Sequence, residues 1–502
     1  MDHDKSTLHF KKLGIDTYKE SIIYLRADCH MCLSEGFEAK TCVQVSLKNK
    51  SIIATINIVK SDLLKVGEVS LSEYAQKLLD AKEGDQIIVS HARPVKSLSF
   101  LRSKIYGNEL SSDELNEIIS DIVHGYYSDI QISAFLTACA GKRLNQREIL
   151  DLTKAMINVS ERIYWSEDII VDKHCVGGLP GNRTTPIVVS IVAAFGLTMP
   201  KTSSRAITSP AGTADTMEVL APVEFDVEKM KEIIAQEKGC IALGGSISLS
   251  PADDILIRIE RVLDLDSEGQ MVASILSKKI AVGSNHILIE IPVGKTAKVR
   301  SLEMANILKN HLEKIGEDLG VMVKVLLTDG SQPVGNGIGP ALEARDLVAV
   351  LQNDKNAPQD LRNHALMLAG EVLEFSPEVK NGEGIILATE ILNSGKAWQK
   401  FQAICAAQGG LKNIPEAKYI HQCFAQKDGV ISEIDSRRIA MVAKLAGAPL
   451  DKTAGIDLRI KVGNKIKQGE LLFAIHTSSK DTLEYALDYF NESLDIIKIE
   501  EK

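Results

Sequence analysis

Between Val171 and Thr185 the chain reads VDKHCVGGLPGNRTT, and an apolar run then continues to Phe195. A glycine-rich loop that opens a helix can bring bare backbone N–H groups onto an anion, and the positive end of the helix adds to the attraction. Lys173, Thr184 and Thr185 can add charge and hydroxyl donors. A plain turn that needs glycine for close packing would account for the same residues. A second stretch, KTSSRAITSPAGTAD from Lys201 to Asp215, combines a run of hydroxyl residues with an arginine and a glycine. Two such loops after two successive strands favour phosphate binding, because ligands of open α/β sheets gather beyond the carboxyl ends of the strands. Neither loop has the Lys-Ser/Thr ending of a Walker A sequence or the G-x-G-x-x-G spacing, so kinase and dehydrogenase readings fall away.

The elements that must position these loops follow from periodicity. The expected fold is an α/β core domain with a small all-helical domain, an extra N-terminal β-rich domain and a C-terminal α+β domain. Residues 1–95 alternate short apolar runs, such as Thr41 to Leu47 and Ser51 to Val59, with turn residues. Residues 96–167 have helical spacing: Ser111 with Glu114 forms a capping box ahead of Leu115, Ile118, Ile119 and Ile122, and Asn145 with Glu148 starts a second helix. Residues 168–252 and 283–425 read as the α/β domain, with buried parallel strands at His286 to Val293 and Val321 to Leu327 and a helix from Leu302 to Leu319 between them. Residues 426–502 read as short strands with glycine turns.

The chain has 502 residues, enough for several domains, and its composition is that of a water-soluble protein. A net charge of -9 argues against a general grip on nucleic acid, so an anionic ligand must be small and held locally. No apolar stretch is long enough for a membrane span, and the charged start of the chain is unlike a secretory signal, so a cytoplasmic protein is expected. Eight cysteines fit free thiols in a reducing compartment. Cys29 and Cys32, with His30 and Cys42 nearby, have knuckle spacing, but no second pair completes a zinc site, so no metal is expected there.

The two loops also carry a family resemblance. Lys173-His174-x-x-Gly177-Gly178, Gly181-x-x-Thr-Thr185, Ser203-x-Arg205 and Ala211-Gly212-Thr213-x-Asp215-x-x-Glu218 resemble the signature region of the thymidine and pyrimidine-nucleoside phosphorylases. The run Ser274-Ile-Leu-Ser-Lys278-Lys279 and the tail Gly447-Ala-Pro-x-Asp451 extend the resemblance over roughly residues 101 to 476. The additional N-terminal domain is similar to the longer branch that includes the AMP phosphorylases. The resemblance implies a helical domain completed by residues 253–282, a homodimer or higher homo-oligomer, and phosphate held on the α/β side. It assigns phosphate to Lys173, Thr185, Ser203 and Thr213, and the base to Ser274 and Lys278. From the nucleotide branch it assigns nucleotide contacts to Gly178, Ser204, Arg205, Ala206, Ile207, Thr208, Ser209, Ser274 and Lys298, and proton donation to Asp266. Cys175 stands where the family has a phosphate-binding serine, and Ser209 near where it has a histidine. For the arginine that the family sets against the base, the resemblance offers Arg258 or Arg261 without deciding between them, and by composition alone Asp264 is as good an acid as Asp266.

The chemistry implied is phosphorolysis. Breaking an N-glycosidic bond builds positive charge on the sugar and negative charge on the departing base, so it needs an anionic nucleophile on one face and an acid or cation at the base. Bound phosphate would be the nucleophile and a substrate, with no cofactor, and Asp266 or Lys278 would serve the base. The expected reaction converts thymidine and phosphate to thymine and 2-deoxyribose 1-phosphate. Cleavage of a nucleoside 5′-monophosphate to ribose 1,5-bisphosphate is the alternative, and a phosphoribosyltransferase reaction a more distant one.

Overall fold

The computed structural model describes residues 7–30, 33, 36, 38–206, 209–247, 249–263, 265, 267–493 and 495–500. The chain divides into two compact units, residues 1–159 with 252–267, and residues 160–251 with 268–502. The segment 253–282 is therefore divided between the units, and the helix Glu268–Ala281 belongs to the second.

In the first unit, strands β1 (Thr7–Phe10), β2 (Ile22–Arg26), β3 (Cys42–Leu47), β4 (Lys50–Val59), β5 (Glu68–Leu71) and β6 (Gln86–His91) close into a barrel in the order β1-β5-β2-β4-β3-β6. Alternating side chains such as Val43, Val45 and Leu47 fill it. Cys29 is buried and the Cys42 thiol faces the Thr55 hydroxyl at 3.9 Å, while Cys32 lies outside the described residues. Four helices follow, Ser97–Ile105, Ser112–Val123, Asp129–Cys139 and Gln146–Asn158. The last three each begin with a complete capping box, at Ser111, Ser128 and Asn145, which satisfies backbone donors a helix leaves unpaired.

The second unit is built on parallel strands. β7 (Val171–Cys175), β10 (His286–Val293) and β11 (Met322–Asp329) form one sheet in the order β11-β10-β7. β8 (Met199–Ser203) and β9 (Gly239–Leu243) form another, linked to the first by a parallel bridge between Ile170 and Thr198. β7 starts later than the apolar triplet Ile169 to Val171 suggests, so its charged residues lie on the strand itself. The helices Thr185–Phe195, Pro340–Leu351 and Gln359–Leu373 cover the sheets with a core that includes Ile187, Val192, Leu347 and Leu361. The run HILIEIPV of β10 is buried from Ile287 to Pro292, as expected of a strand covered on both faces, and the one charged residue within it is Glu290. Beyond residue 418, two antiparallel sheets, one of them completed by the short strand Gly337–Ile338, pack with the helices Ser436–Leu445 and Lys480–Glu492 around Phe473 and Ile475.

Candidate active site

Strand β7 carries charge on both faces because successive side chains point to opposite sides. Asp172 faces one way. Its carboxylate takes Lys201 from β8 at 2.9 Å and Lys279 from the helix Glu268–Ala281 at 2.8 Å. Lys173 faces the other way and is 1% exposed. Its ammonium meets the Glu290 carboxylate at 2.9 Å and donates to the Thr184 hydroxyl at 2.9 Å. Register explains the Glu290 contact: Lys173 stands opposite Leu288 on β10, and Glu290 is two residues further along the same face.

Glu290 also accepts from Asn182 at 3.0 Å and Thr328 at 3.2 Å, and its carboxylate lies 2.7 Å from His364 Nε2. Burial alone would raise this carboxyl, but Lys173 and then His364 outweigh it and hold it far below the carboxylate range. On the Asp172 side, burial pushes Lys201 down to about 7, against the pull of Asp172 and with the push of Lys279. His174 registers the positive field. Burial first, and then Lys279, Lys201, Lys278 and Lys173, drive its imidazole well below its usual range. The buried charges thus lie on both faces of β7, Lys201 and Lys279 with Asp172 on one and Lys173 with Glu290 on the other.

The anion loops end on two helices. Thr184 occupies the N-cap of Thr185–Phe195, but its hydroxyl accepts from Lys173 and donates to Asn182 at 3.3 Å, so no side chain caps that terminus. Gly212 is the N-cap of the helix Thr213–Leu220 and contributes no side chain. Helix termini of this kind favour negative charge. Ser203 ends β8 with a buried hydroxyl that has no partner among the described residues. An orphaned buried hydroxyl at the start of the second loop suits a ligand oxygen.

The structure brings Lys173, Thr184 and Glu290 together, and it places Thr185, Ser203 and Thr213 at the ends of the elements that bound the loops. It brings Gly178 against Lys298. Gly178 has φ +84°, and a Cβ there would sit 2.2 Å from the Lys298 backbone nitrogen, so only glycine fits. Ser274 and Lys278 lie one helical turn apart on Glu268–Ala281, both part-exposed. The other expected nucleotide contacts have these surroundings in the fold. Arg205 commits its guanidinium to Glu218, at 2.8 and 2.9 Å, and to Glu224 at 2.6 Å. The Ala206 amide donates to Asp215 at 2.6 Å, and Ser209 donates to the Ala211 carbonyl at 2.9 Å, while Ser204 is exposed. These contacts hold the second loop in shape. Ile207, Thr208, Asp264 and Asp266 lie outside the described residues. Of the two arginines considered for the base, Arg258 grips Asp129 with both terminal nitrogens at 2.6 Å and Arg261 is exposed. Cys175 has its thiol pushed up to about 12 by burial and then by Glu290, so it is no anion at neutral pH.

Sequence reasoning missed Glu290, Asp172, Lys201 and Arg183. Arg183 donates to Glu343 at 2.6 Å, to the Thr213 hydroxyl at 2.9 Å and to the Ala211 carbonyl at 2.8 Å. A lone glutamate inside the apolar run HILIEIPV is a signal that could have found Glu290, because an unpaired carboxylate is not kept on a central strand. Among the described residues, no group of three or more His, Cys, Asp or Glu could hold a metal ion, and no helix is long and apolar enough to cross a membrane.

Comparison with known proteins places this parallel-sheet fold among the glycosyl-transferring enzymes. Residues 98–160 match the helical bundle domain of the glycosyl transferase family, residues 167–398 its a/b domain, and residues 430–497 the pyrimidine nucleoside phosphorylase C-terminal domain. A protein of Legionella pneumophila (strain Corby) named "Putative thymidine phosphorylase" is 59% identical over 490 residues, covering 98% of this chain and 95% of its own. A protein of the same name from Hahella chejuensis (strain KCTC 2396) is 53% identical over 495 residues, covering 99% and 98%. The anthranilate phosphoribosyltransferase of Thermus thermophilus shares the fold with a TM-score of 0.51 at 18% identity, covering 61% of this chain and 98% of that one. The chain belongs to the thymidine and pyrimidine-nucleoside phosphorylase family and is a pentosyltransferase of the phosphorylase type.

Proposed function

We propose that this enzyme cleaves the N-glycosidic bond of a pyrimidine nucleoside with inorganic phosphate, converting thymidine to thymine and 2-deoxyribose 1-phosphate. The observation that carries the reading is the enclosed Lys173 ammonium, bonded to Thr184 at the end of the first loop, together with the unpartnered Ser203 hydroxyl at the start of the second. A buried cation and a free donor at two loops that open helices suit a small dianion held where water is excluded. The names of the relatives and the C-terminal domain match support pyrimidine nucleosides as the substrate class.

In this reading Lys173, Thr185, Ser203 and Thr213 hold phosphate on one face of the sugar. As the bond to the base lengthens, the sugar C1′ becomes cationic and the phosphate oxygen closes on it. Ser274 positions the base, and the Lys278 ammonium, with Asp266 as acid, meets the negative charge that leaves with it. Phosphate is a substrate, and no metal or cofactor enters any step. The reading carries with it a cytoplasmic homo-oligomer.

A nucleoside 5′-monophosphate as substrate is favoured by one observation, the backbone of Lys298 lying against Gly178 of the first loop. That position would let Lys298 meet a second phosphate. The test is a product assay with thymidine, uridine, AMP, CMP and UMP, with and without phosphate. Phosphate-dependent release of base from thymidine or uridine is expected. Equal release in phosphate-free buffer would make the protein a hydrolase. Cleavage of monophosphates alone, lost in Lys298→Ala, would establish the second reading instead.

A further inference from the structure

We infer that Arg183 is a positioning residue that turns the Thr213 hydroxyl into a dedicated donor for the attacking phosphate and ties the two anion loops into one site. The inference rests on the phosphate-site reading given above. Arg183 lies near the end of the first loop, and its guanidinium reaches the second. Nη1 donates to Thr213 Oγ1 at 2.9 Å, Nη2 to the Ala211 carbonyl at 2.8 Å, and Nε to Glu343 Oε2 at 2.6 Å. All three nitrogens of the planar fork are engaged, which fixes its orientation. Glu343 is fixed in turn: it is fully buried, accepts from the Thr216 hydroxyl at 3.0 Å, and accepts from the Gly339 amide at 3.3 Å.

The consequence lies in the arithmetic of a hydroxyl, which has one proton to give and lone pairs to receive. Arg183 fills an acceptor site of Thr213, so the remaining proton must point away from the guanidinium. That proton has no acceptor among the described residues. The second loop does not need it, because Asp215 already takes the amide hydrogens of Gly212 and Ala206, at 2.9 and 2.6 Å. A hydroxyl whose acceptor side is occupied by a cation is also a stronger donor, since the guanidinium polarises it. Thr213 is the first residue of its helix, behind a glycine N-cap, where negative charge is favoured. Lysine at position 183 could keep the charge but could not span Thr213, Ala211 and Glu343 at once.

The test measures phosphate KM, nucleoside KM and kcat for Arg183→Gln, Arg183→Lys, Thr213→Val and the double variant Arg183→Gln/Thr213→Val in the full-length enzyme. Each single variant should raise phosphate KM by about tenfold or more, the scale of a lost charge-assisted contact, with nucleoside KM changed less than about twofold. The double variant should be no worse than the poorer single variant, because both remove the same donor. Arg183→Lys is the variant expected to fold most readily, and it should stay impaired. An Arg183→Lys enzyme with normal phosphate KM would overturn the inference, since charge alone would then suffice. Multiplying effects in the double variant would overturn it too. If Thr213→Val leaves phosphate KM unchanged, the phosphate-site reading itself fails at this residue, a result distinct from a failure of Arg183 alone.

Discussion

At the scale of single residues, the site is a set of buried charges whose partners matter as much as the charges. The sequence suggests a loop lysine at 173 whose loss would spare folding. The structure puts Lys173 on β7, fully enclosed and paired with Glu290. Lys173→Ala should therefore cost both phosphate use and stability, the latter by up to about 3–5 kcal/mol because the buried Glu290 carboxylate loses its ammonium and is left with Asn182, Thr328 and His364. Adding Glu290→Gln should restore much of the stability, read by urea unfolding, without restoring phosphate KM. A Lys173→Ala enzyme as stable as wild type would remove the ion pair from the argument.

Lys201 supplies a pH prediction. Its folded value, about 7, lies below the 10.5 of a free lysine. Between those pH values the unfolded chain holds a proton that the folded chain lacks, so this residue's contribution to stability rises with pH across that window. Below pH 7 both states are protonated and the cost of burying the charge is fully present. The difference in unfolding free energy between wild type and Lys201→Met should thus shift in favour of wild type by about one kcal/mol per pH unit from pH 7 to 9. A difference that stays flat over that range would place the Lys201 proton elsewhere.

At the scale of elements, the first loop works because glycine lets two backbone segments meet. Gly178 has φ +84° and no room for a Cβ against the Lys298 backbone. Gly178→Ala combines left-handed strain of about 1–2 kcal/mol with displacement of one segment. It should lower kcat/KM by at least about tenfold through that displacement, while alanine at Gly177, where a Cβ meets nothing within 4 Å, carries only the strain of φ +100°. Comparing phosphate KM in the two variants separates the two effects, and equal losses would show that contact with Lys298 is irrelevant. The helix Thr185–Phe195 has the same logic in reverse. Pro186 at its start needs no N–H partner, and Gly196 closes it in the left-handed conformation, so its ends are written in local chemistry.

At the scale of the whole molecule, the net charge is -9 while strand β7 gathers the ammonium groups of Lys173, Lys201 and Lys279 against two carboxylates. The positive field is therefore local, and its partner should be a small anion rather than a polymer. Base release should need phosphate and no added metal, so activity after exhaustive treatment with a chelator should stay within about twofold of the untreated enzyme, far from the several kcal/mol that a catalytic metal contributes. A large loss restored by magnesium would put a cation in the reaction.

The sequence by itself determined the elements and the loops. Capping boxes at Ser111 and Asn145, the glycine ends of helices and the apolar run of β10 are local rules, satisfied within a few residues of each other. The glycine and hydroxyl residues of the two loops were legible for the same reason, because each loop is contiguous chain between a strand and a helix. Only the tertiary structure decided which charges meet. Glu290 lies 117 positions from Lys173 and Glu343 lies 160 from Arg183, yet strand register and helix packing bring each pair within bonding distance. The same holds for Arg205 and Arg258, which the family resemblance offered as ligand contacts and which the fold pairs with Glu218 and Asp129. A charged side chain's role depends on what the fold places opposite it in a low-dielectric interior, and pairing across a sheet leaves no periodic trace in the chain.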